Sequence, residues 1–181
     1  RRVFLDRADG GEPISALDDV IAAIQEAELI VLGPGSLYTS IIPNLLVPGV
    51  ADAIRQSSAL KIYVCNVMTE PGETDGFKVS DHIKAMIDHA GYGVMDICLV
   101  NTRAVPARVR ERYREQGAEP VVLDPAAHRL GVQVVARDLL RVEGDYVRHD
   151  PEKLAQAIGH LFLARRPHVG HTPWEFFLFR Q

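Results

Sequence analysis

Three short apolar runs constrain this chain more than anything else in it: "LIVL" at 29–32, "KIYVCNV" at 61–67 and "MDICLV" at 95–100. Each is strand-length and rich in β-branched residues. None alternates polar with apolar, as expected of strands covered on both faces. Between and around them the spacing turns helical. Leu17, Val20, Ile21 and Ile24 share a face behind Ser15, whose Ser-x-x-Asp18 spacing predicts a capping-box start. A helix is expected over 50–56, and Ser80 is expected to cap another that carries Ile83, Met86, Ile87 and Ala90 inward and stops at Gly91. Strand and helix thus alternate, which predicts an α/β layered fold with a mainly parallel sheet, one domain over residues 1–181.

Other elements are read with the same rules. Val3 to Leu5 and "PVVLD" at 120–124 predict strands, and "VQVVARDLL" at 132–140 predicts an extended segment. Pro106 suits the first turn of an arginine-rich helix running to Gln116. Asp150-Pro151 opens a last helix with Leu154, Ile158 and Leu161 inward, and the apolar end "PWEFFLFRQ" is expected to dock on the body. The formal net charge of −4 argues against a nucleic-acid binder, which would show a basic face. Cys65 and Cys98 sit inside apolar runs, as core thiols of a reducing compartment do. No run reaches the ~20 apolar residues that span a bilayer. A soluble cytoplasmic protein is therefore expected.

In a parallel sheet, ligands bind outside the carboxyl ends of the strands. Two loops with unusual chemistry leave such ends, at 33–44 and 66–77. In the first, Gly33 and Gly35 allow close backbone approach, and Ser36, Thr39 and Ser40 follow within two helical turns. Hydroxyls and free N–H groups at a helix start make an anion cradle, although they also serve merely as caps. No Gly-Lys-Ser/Thr marks a Walker loop, the third glycine of the dinucleotide fingerprint is missing, and Ser36 lacks a Gly-x-Ser-x-Gly elbow. In the second loop, Asn66 offers a strand-end amide with donor and acceptor. Glu70, Glu73 and Asp75 either hold Mg²⁺ on a bound diphosphate or are simply solvated acids of a Pro-Gly turn. Weaker candidates are the His168/His171 pair as metal ligands, Asp81-His82 at a helix start, and the arginines between 103 and 114 as an anion-facing or partner-facing surface.

The same two loops carry a resemblance. "VLGPGSLYTSIIPNLL" and "CNVMTEPGETDGFKVSDHI" closely resemble the YvcK family, the gluconeogenesis factors, within the CofD-like superfamily. The likeness runs over essentially the whole chain. It implies a Rossmann-like fold in a cytoplasmic bacterial protein that serves cell shape and cell-wall precursor supply on gluconeogenic carbon sources. It further implies binding of UDP-sugars such as UDP-N-acetylglucosamine, a partner among the enzymes of amino-sugar synthesis, and no firm catalytic activity. Carried over by position, Gly33, Pro34, Gly35, Ser36, Tyr38, Thr39 and Ser40 border the ligand on one side. Asn66, Met68, Glu73, Thr74 and Asp75 border it on the other.

Two departures qualify the resemblance. A Gly-rich "GGGTG"-like strand–loop near the N-terminus of full-length relatives is absent, and the chain opens "RRVFLD" as a cut end would. It looks like the C-terminal half to two-thirds of a family member. Such a piece is expected to bind nucleotide weakly and, with an edge strand uncovered, to be prone to self-association. The transferase branch, 2-phospho-L-lactate transferase, carries a Gly-Pro-Ser-Asn-Pro-like motif where this chain has Gly33-Pro34-Gly35-Ser36-Leu37. A transferase using a nucleoside-diphosphate-activated substrate is accordingly the alternative function.

Overall fold

A computed structural model describes residues 1–6 and 14–165. Four parallel strands form its sheet in the order β1-β2-β3-β4: β1 (Leu29–Leu32), β2 (Leu60–Val64), β3 (Ile97–Asn101) and β4 (Gln133–Arg137). Parallel neighbours need crossovers, and helices supply them. A π-helical turn (Leu37–Ile41), α2 (Ile42–Leu45) and α3 (Val50–Gln56) link β1 to β2. The helix α4 (Val79–Ala90) links β2 to β3, while α5 (Ala107–Glu115) and a 3₁₀ turn (Pro125–Arg129) link β3 to β4. The helix α1 (Asp18–Glu26) precedes the sheet. After β4 come an antiparallel hairpin, β5 (Leu140–Glu143) with β6 (Tyr146–His149), and the helix α6 (Pro151–Arg165). The expected α/β fold with a parallel sheet is what the chain adopts.

The strands alternate between two apolar clusters. On one face Tyr63, Cys65, Cys98 and Val100 pack with Leu37, Ile42, Ile54, Ile83 and Met86 from the crossover helices. On the other, Leu60, Ile62, Ile97, Leu99 and Val135 meet Ala157, with Leu154, Ile158 and Leu161 alongside. Each fully buried aliphatic side chain contributes about 1.5–3 kcal/mol. Continuous apolar runs in β2 and β3 follow directly, since neither face is left to water. A third cluster joins Val67, Val105, Val109, Leu140 and Val147, fastening α5 to the hairpin and to the loop after β2.

Several sequence-based expectations change. Residues 3–5 form no strand; the Val3 N–H donates to His89 Nε2 at 3.2 Å. β1 lies at the sheet edge, and Val31, in register with Ile62, is 38% exposed because α6 packs over β2. Ser15 caps nothing, since α1 begins at Asp18 with Leu17 preceding it. Ser80 lies inside α4, whose first free N–H groups find other acceptors: Lys78 N–H donates to Asp81 at 2.8 Å, and Ser80 N–H donates to Asp124 at 3.0 Å. Only Pro120 of the 120–124 run makes a bridge, to Met68, because β4 already occupies the place beside β3. Cys65 and Cys98 are buried free thiols. The segment "PWEFFLFRQ" and the pair His168/His171 lie outside the described residues.

His82 is fully buried against Phe77, ring centroids 5.6 Å apart, with Nδ1 2.9 Å from the Lys78 carbonyl and Nε2 unpartnered. Burial pushes its imidazole below the ordinary value, the Lys78 carbonyl and Asp81 opposing in part. The unfolded chain protonates near the usual value of about 6.5. Stability is therefore intact above that pH and falls as acid is added, until the folded imidazole protonates too. The urea midpoint is expected to drop between about pH 7.5 and about pH 5.5, and to drop less in His82→Phe. A pH-independent midpoint in the parent protein is the contrary result.

Candidate functional site

A crevice of about 380 Å³ opens beyond the carboxyl ends of β1 and β2. Its first wall is the Gly-Pro-Gly loop, represented by Pro34, Gly35 and Ser36. Leaving β1, the chain turns sharply at Gly33, whose φ is +87° and whose peptide to Pro34 is cis. A Cβ at Gly33 would stand 3.1 Å from the Ile41 side chain and 3.3 Å from the Val64 carbonyl oxygen. Glycine is needed here to bring the loop tight against the end of β2.

The floor and second wall are residues 66–71. Asn66 and Met68 line the crevice, and the Asn66 Oδ1 is buried with no hydrogen-bond partner. This loop is held from behind. Thr69 N–H donates to the Glu119 carbonyl at 2.7 Å, Glu119 N–H to Thr69 Oγ1 at 2.8 Å, and Val121 N–H to the Val67 carbonyl at 2.9 Å. The extended stretch after α5 thereby serves as a backing strip rather than a sheet strand.

A third wall comes from parts of the chain that the loops do not announce. Tyr113 of α5, Gln116 just past its end, and Val147, Arg148 and His149 of β6 complete the crevice. Tyr113 Oη accepts the Val147 N–H at 3.0 Å, and Asp145 in the hairpin turn takes Arg108 at 2.9 Å and also pairs with Arg112. Together they dock the hairpin on α5. Burial pushes His149 below its ordinary pKa, a hydrogen bond with the Cys65 carbonyl partly opposing, so the ring is neutral near pH 7. Its Nε2 is buried without a partner, like the Asn66 oxygen. Arg148 sits exposed at the rim with no carboxylate partner among the described residues. The crevice thus joins two unsatisfied polar atoms to a cation, Arg148, and a carboxyl, Glu70, in its lining.

Of the residues expected at the site, Pro34, Gly35, Ser36, Asn66 and Met68 come together on the crevice, and Gly33 shapes its turn without lining it. The others do not join them. Tyr38 is buried on the far side, edge-on to Phe77 and His89, because the turn after Ser36 rotates it onto α4. Thr39 and Ser40 are exposed, away from the opening. Thr74 is 1% exposed, and its hydroxyl accepts the Glu70 N–H at 2.8 Å. Asp75 accepts the Gly72 N–H at 3.0 Å and lies 3.5 Å from the Arg1 guanidinium, while Glu73 shares that outlying turn. Of the three carboxylates proposed for Mg²⁺, Glu73 and Asp75 thus lie off the crevice, whereas Glu70 is among its lining residues. Among the described residues no group of three or more His, Cys, Asp or Glu is placed to hold a metal ion. His82 is a core residue, remote from the crevice.

Tyr113, Arg148 and His149 had one signal in the sequence. "VEGDYV" at 142–147 carries Gly-Asp between short β-prone runs, a two-residue hairpin turn that brings β6 back.

Comparison with known proteins agrees with this architecture. The family model described as 2-phospho-L-lactate transferase CofD matches residues 1–140. Proteins named gluconeogenesis factor in Halalkalibacterium halodurans and Bacillus subtilis are 44% and 41% identical, each over 87% of this chain. A putative gluconeogenesis factor of Thermotoga maritima is 48% identical over 86%. The chain spans about half the length of these curated relatives, 48%, 49% and 49%. A crystal structure of a Bacillus halodurans protein superposes with a TM-score of 0.78 at 45% identity, covering 80% of this chain and 47% of that one.

The tight approach at Gly33 yields a direct test. Gly33→Ala is expected to lower unfolding stability by about 1–2 kcal/mol, since a left-handed φ and a crowded Cβ act together. A denaturation curve unchanged from the parent would show that the loop has room to relax.

Proposed function

The chain belongs to the CofD family, and from that premise we propose that it acts as a nucleotide-sugar-binding regulatory protein. UDP-sugars such as UDP-N-acetylglucosamine are the proposed ligands. The proposed role is that of a gluconeogenesis factor, sustaining cell-wall precursor supply and cell shape on gluconeogenic carbon sources from the cytoplasm. Its partner in this reading is an enzyme of amino-sugar synthesis. The relatives named gluconeogenesis factor support the role. Among the described residues no single helix is long and apolar enough to cross a membrane.

One observation carries the ligand class. The crevice offers hydrogen-bonding atoms inside, at Asn66 and His149, and counts the cation Arg148 among its lining residues along with Glu70. A ligand with a polar ring at one end and phosphate beside it matches that polarity, and the volume falls within the ordinary range for ligand pockets, about 300–1,000 Å³. Guanidinium is the side chain best shaped for phosphate. The transferase reading draws on the matched family model, yet Val147, Arg148 and His149 lie beyond the residues that model matches. Part of one wall of the crevice thus stands outside the part likened to the transferase.

Calorimetry of the intact protein with UDP-N-acetylglucosamine tests the proposal. Binding is expected, with Arg148→Ala raising Kd about tenfold, as loss of a charge-assisted hydrogen bond does. No heat at about millimolar ligand, or turnover of a nucleoside-diphosphate-activated substrate, would overturn it.

A further inference from the structure

Three arginines gather around the β5–β6 hairpin, and of these Arg148 lines the crevice. Asp145 pairs with both Arg108 and Arg112, so those two charges share one carboxylate. Arg148 has no such carboxylate among the described residues, and its Nη1 donates to the Val147 carbonyl at 3.1 Å. A long, exposed arginine with one backbone contact normally samples many rotamers, and fixing it on a ligand costs binding free energy.

Tyr146 changes that. Its ring lies 5.6 Å from the Arg148 Cζ and 5.5 Å from the Arg112 Cζ, within cation–π range of both. Two cations on one ring would repel each other. Here the Asp145 carboxylate offsets part of the Arg112 charge, which eases that repulsion at Arg148. The ring itself is 52% exposed, which core packing does not explain. Tyr146 and Arg148 are two apart on β6 and so project to the same side of the strand.

We propose that Tyr146 is a positioning residue, whose ring holds the Arg148 guanidinium at the crevice mouth to receive a phosphate of the bound nucleotide sugar. The inference rests on the function proposed above and adds to it how the fold prepares a cation that has no carboxylate partner among the described residues. Tyr146 touches no ligand in this scheme. It removes freedom from Arg148 before the ligand arrives, and its hydroxyl plays no part.

Calorimetry with UDP-N-acetylglucosamine on the intact protein tests this with four variants: Tyr146→Ala, Tyr146→Phe, Arg148→Ala and the double variant Tyr146→Ala/Arg148→Ala. Tyr146→Ala is expected to raise Kd about three- to fivefold, the size of an exposed cation–π contact, while Tyr146→Phe keeps the parent Kd. In the Arg148→Ala background, Tyr146→Ala is expected to add nothing, since its effect runs through that guanidinium. Parent affinity in Tyr146→Ala, an equal loss in Tyr146→Phe, or the same loss with and without Arg148 would each overturn the inference. When the parent binds and Arg148→Ala weakens it, those results leave the proposed function standing. A parent protein that does not bind removes both.

Discussion

β2 has no face turned to water. Leu60 and Ile62 reach the cluster under α6, while Tyr63 and Cys65 reach the one under the crossover helices. A strand in that position must be parallel to its neighbours if helices are to return the chain across both of its sides, and here it is. Parallel strands discharge their loops along a single edge. The glycine turn after β1 and the asparagine loop after β2 therefore meet because the core requires it. The chemistry at that edge is a by-product of where apolar residues had to go.

The site has a second origin. Its outer wall is brought in by the third apolar cluster, where Val109 of α5, Val147 of β6 and Val67 of the β2 loop converge. Tyr113 spans from helix to hairpin with its hydroxyl, and Asp145 ties the turn down with two ion pairs. Surface ion pairs contribute little each, about 0–1 kcal/mol, so the apolar contacts fasten the hairpin and the charges fix its placement.

These two origins explain what could be read from the residues in order. β2, β3 and their crossovers are legible because continuous apolar runs and helical spacing report burial directly. Half of the crevice is legible for the same reason, since Pro34, Ser36 and Asn66 directly follow such runs. The other half is not, because Tyr113 and His149 stand 36 positions apart and meet only through tertiary packing. Local polarity also misleads. Tyr38, Thr39, Thr74 and Asp75 sit in the expected loops, yet one turn of chain decides whether a side chain faces the opening, the core or water. Ser15 and Ser80 look like caps, but α4 instead receives a carboxylate from Asp124, far along the chain. The exposed Val31 shows that an apolar run does not reveal how far the covering helix extends.

The helix α5 is a partition. Tyr113 and, just past its end, Gln116 line the crevice, Val109 is sealed in apolar contact, and Arg110 and Arg114 stand exposed to water. At its carboxyl end the chain runs straight into the strip that backs the β2 loop, through Glu119 and Val121. The floor of the crevice and a helix bearing exposed guanidinium groups are thereby joined as one continuous, hydrogen-bonded piece of chain.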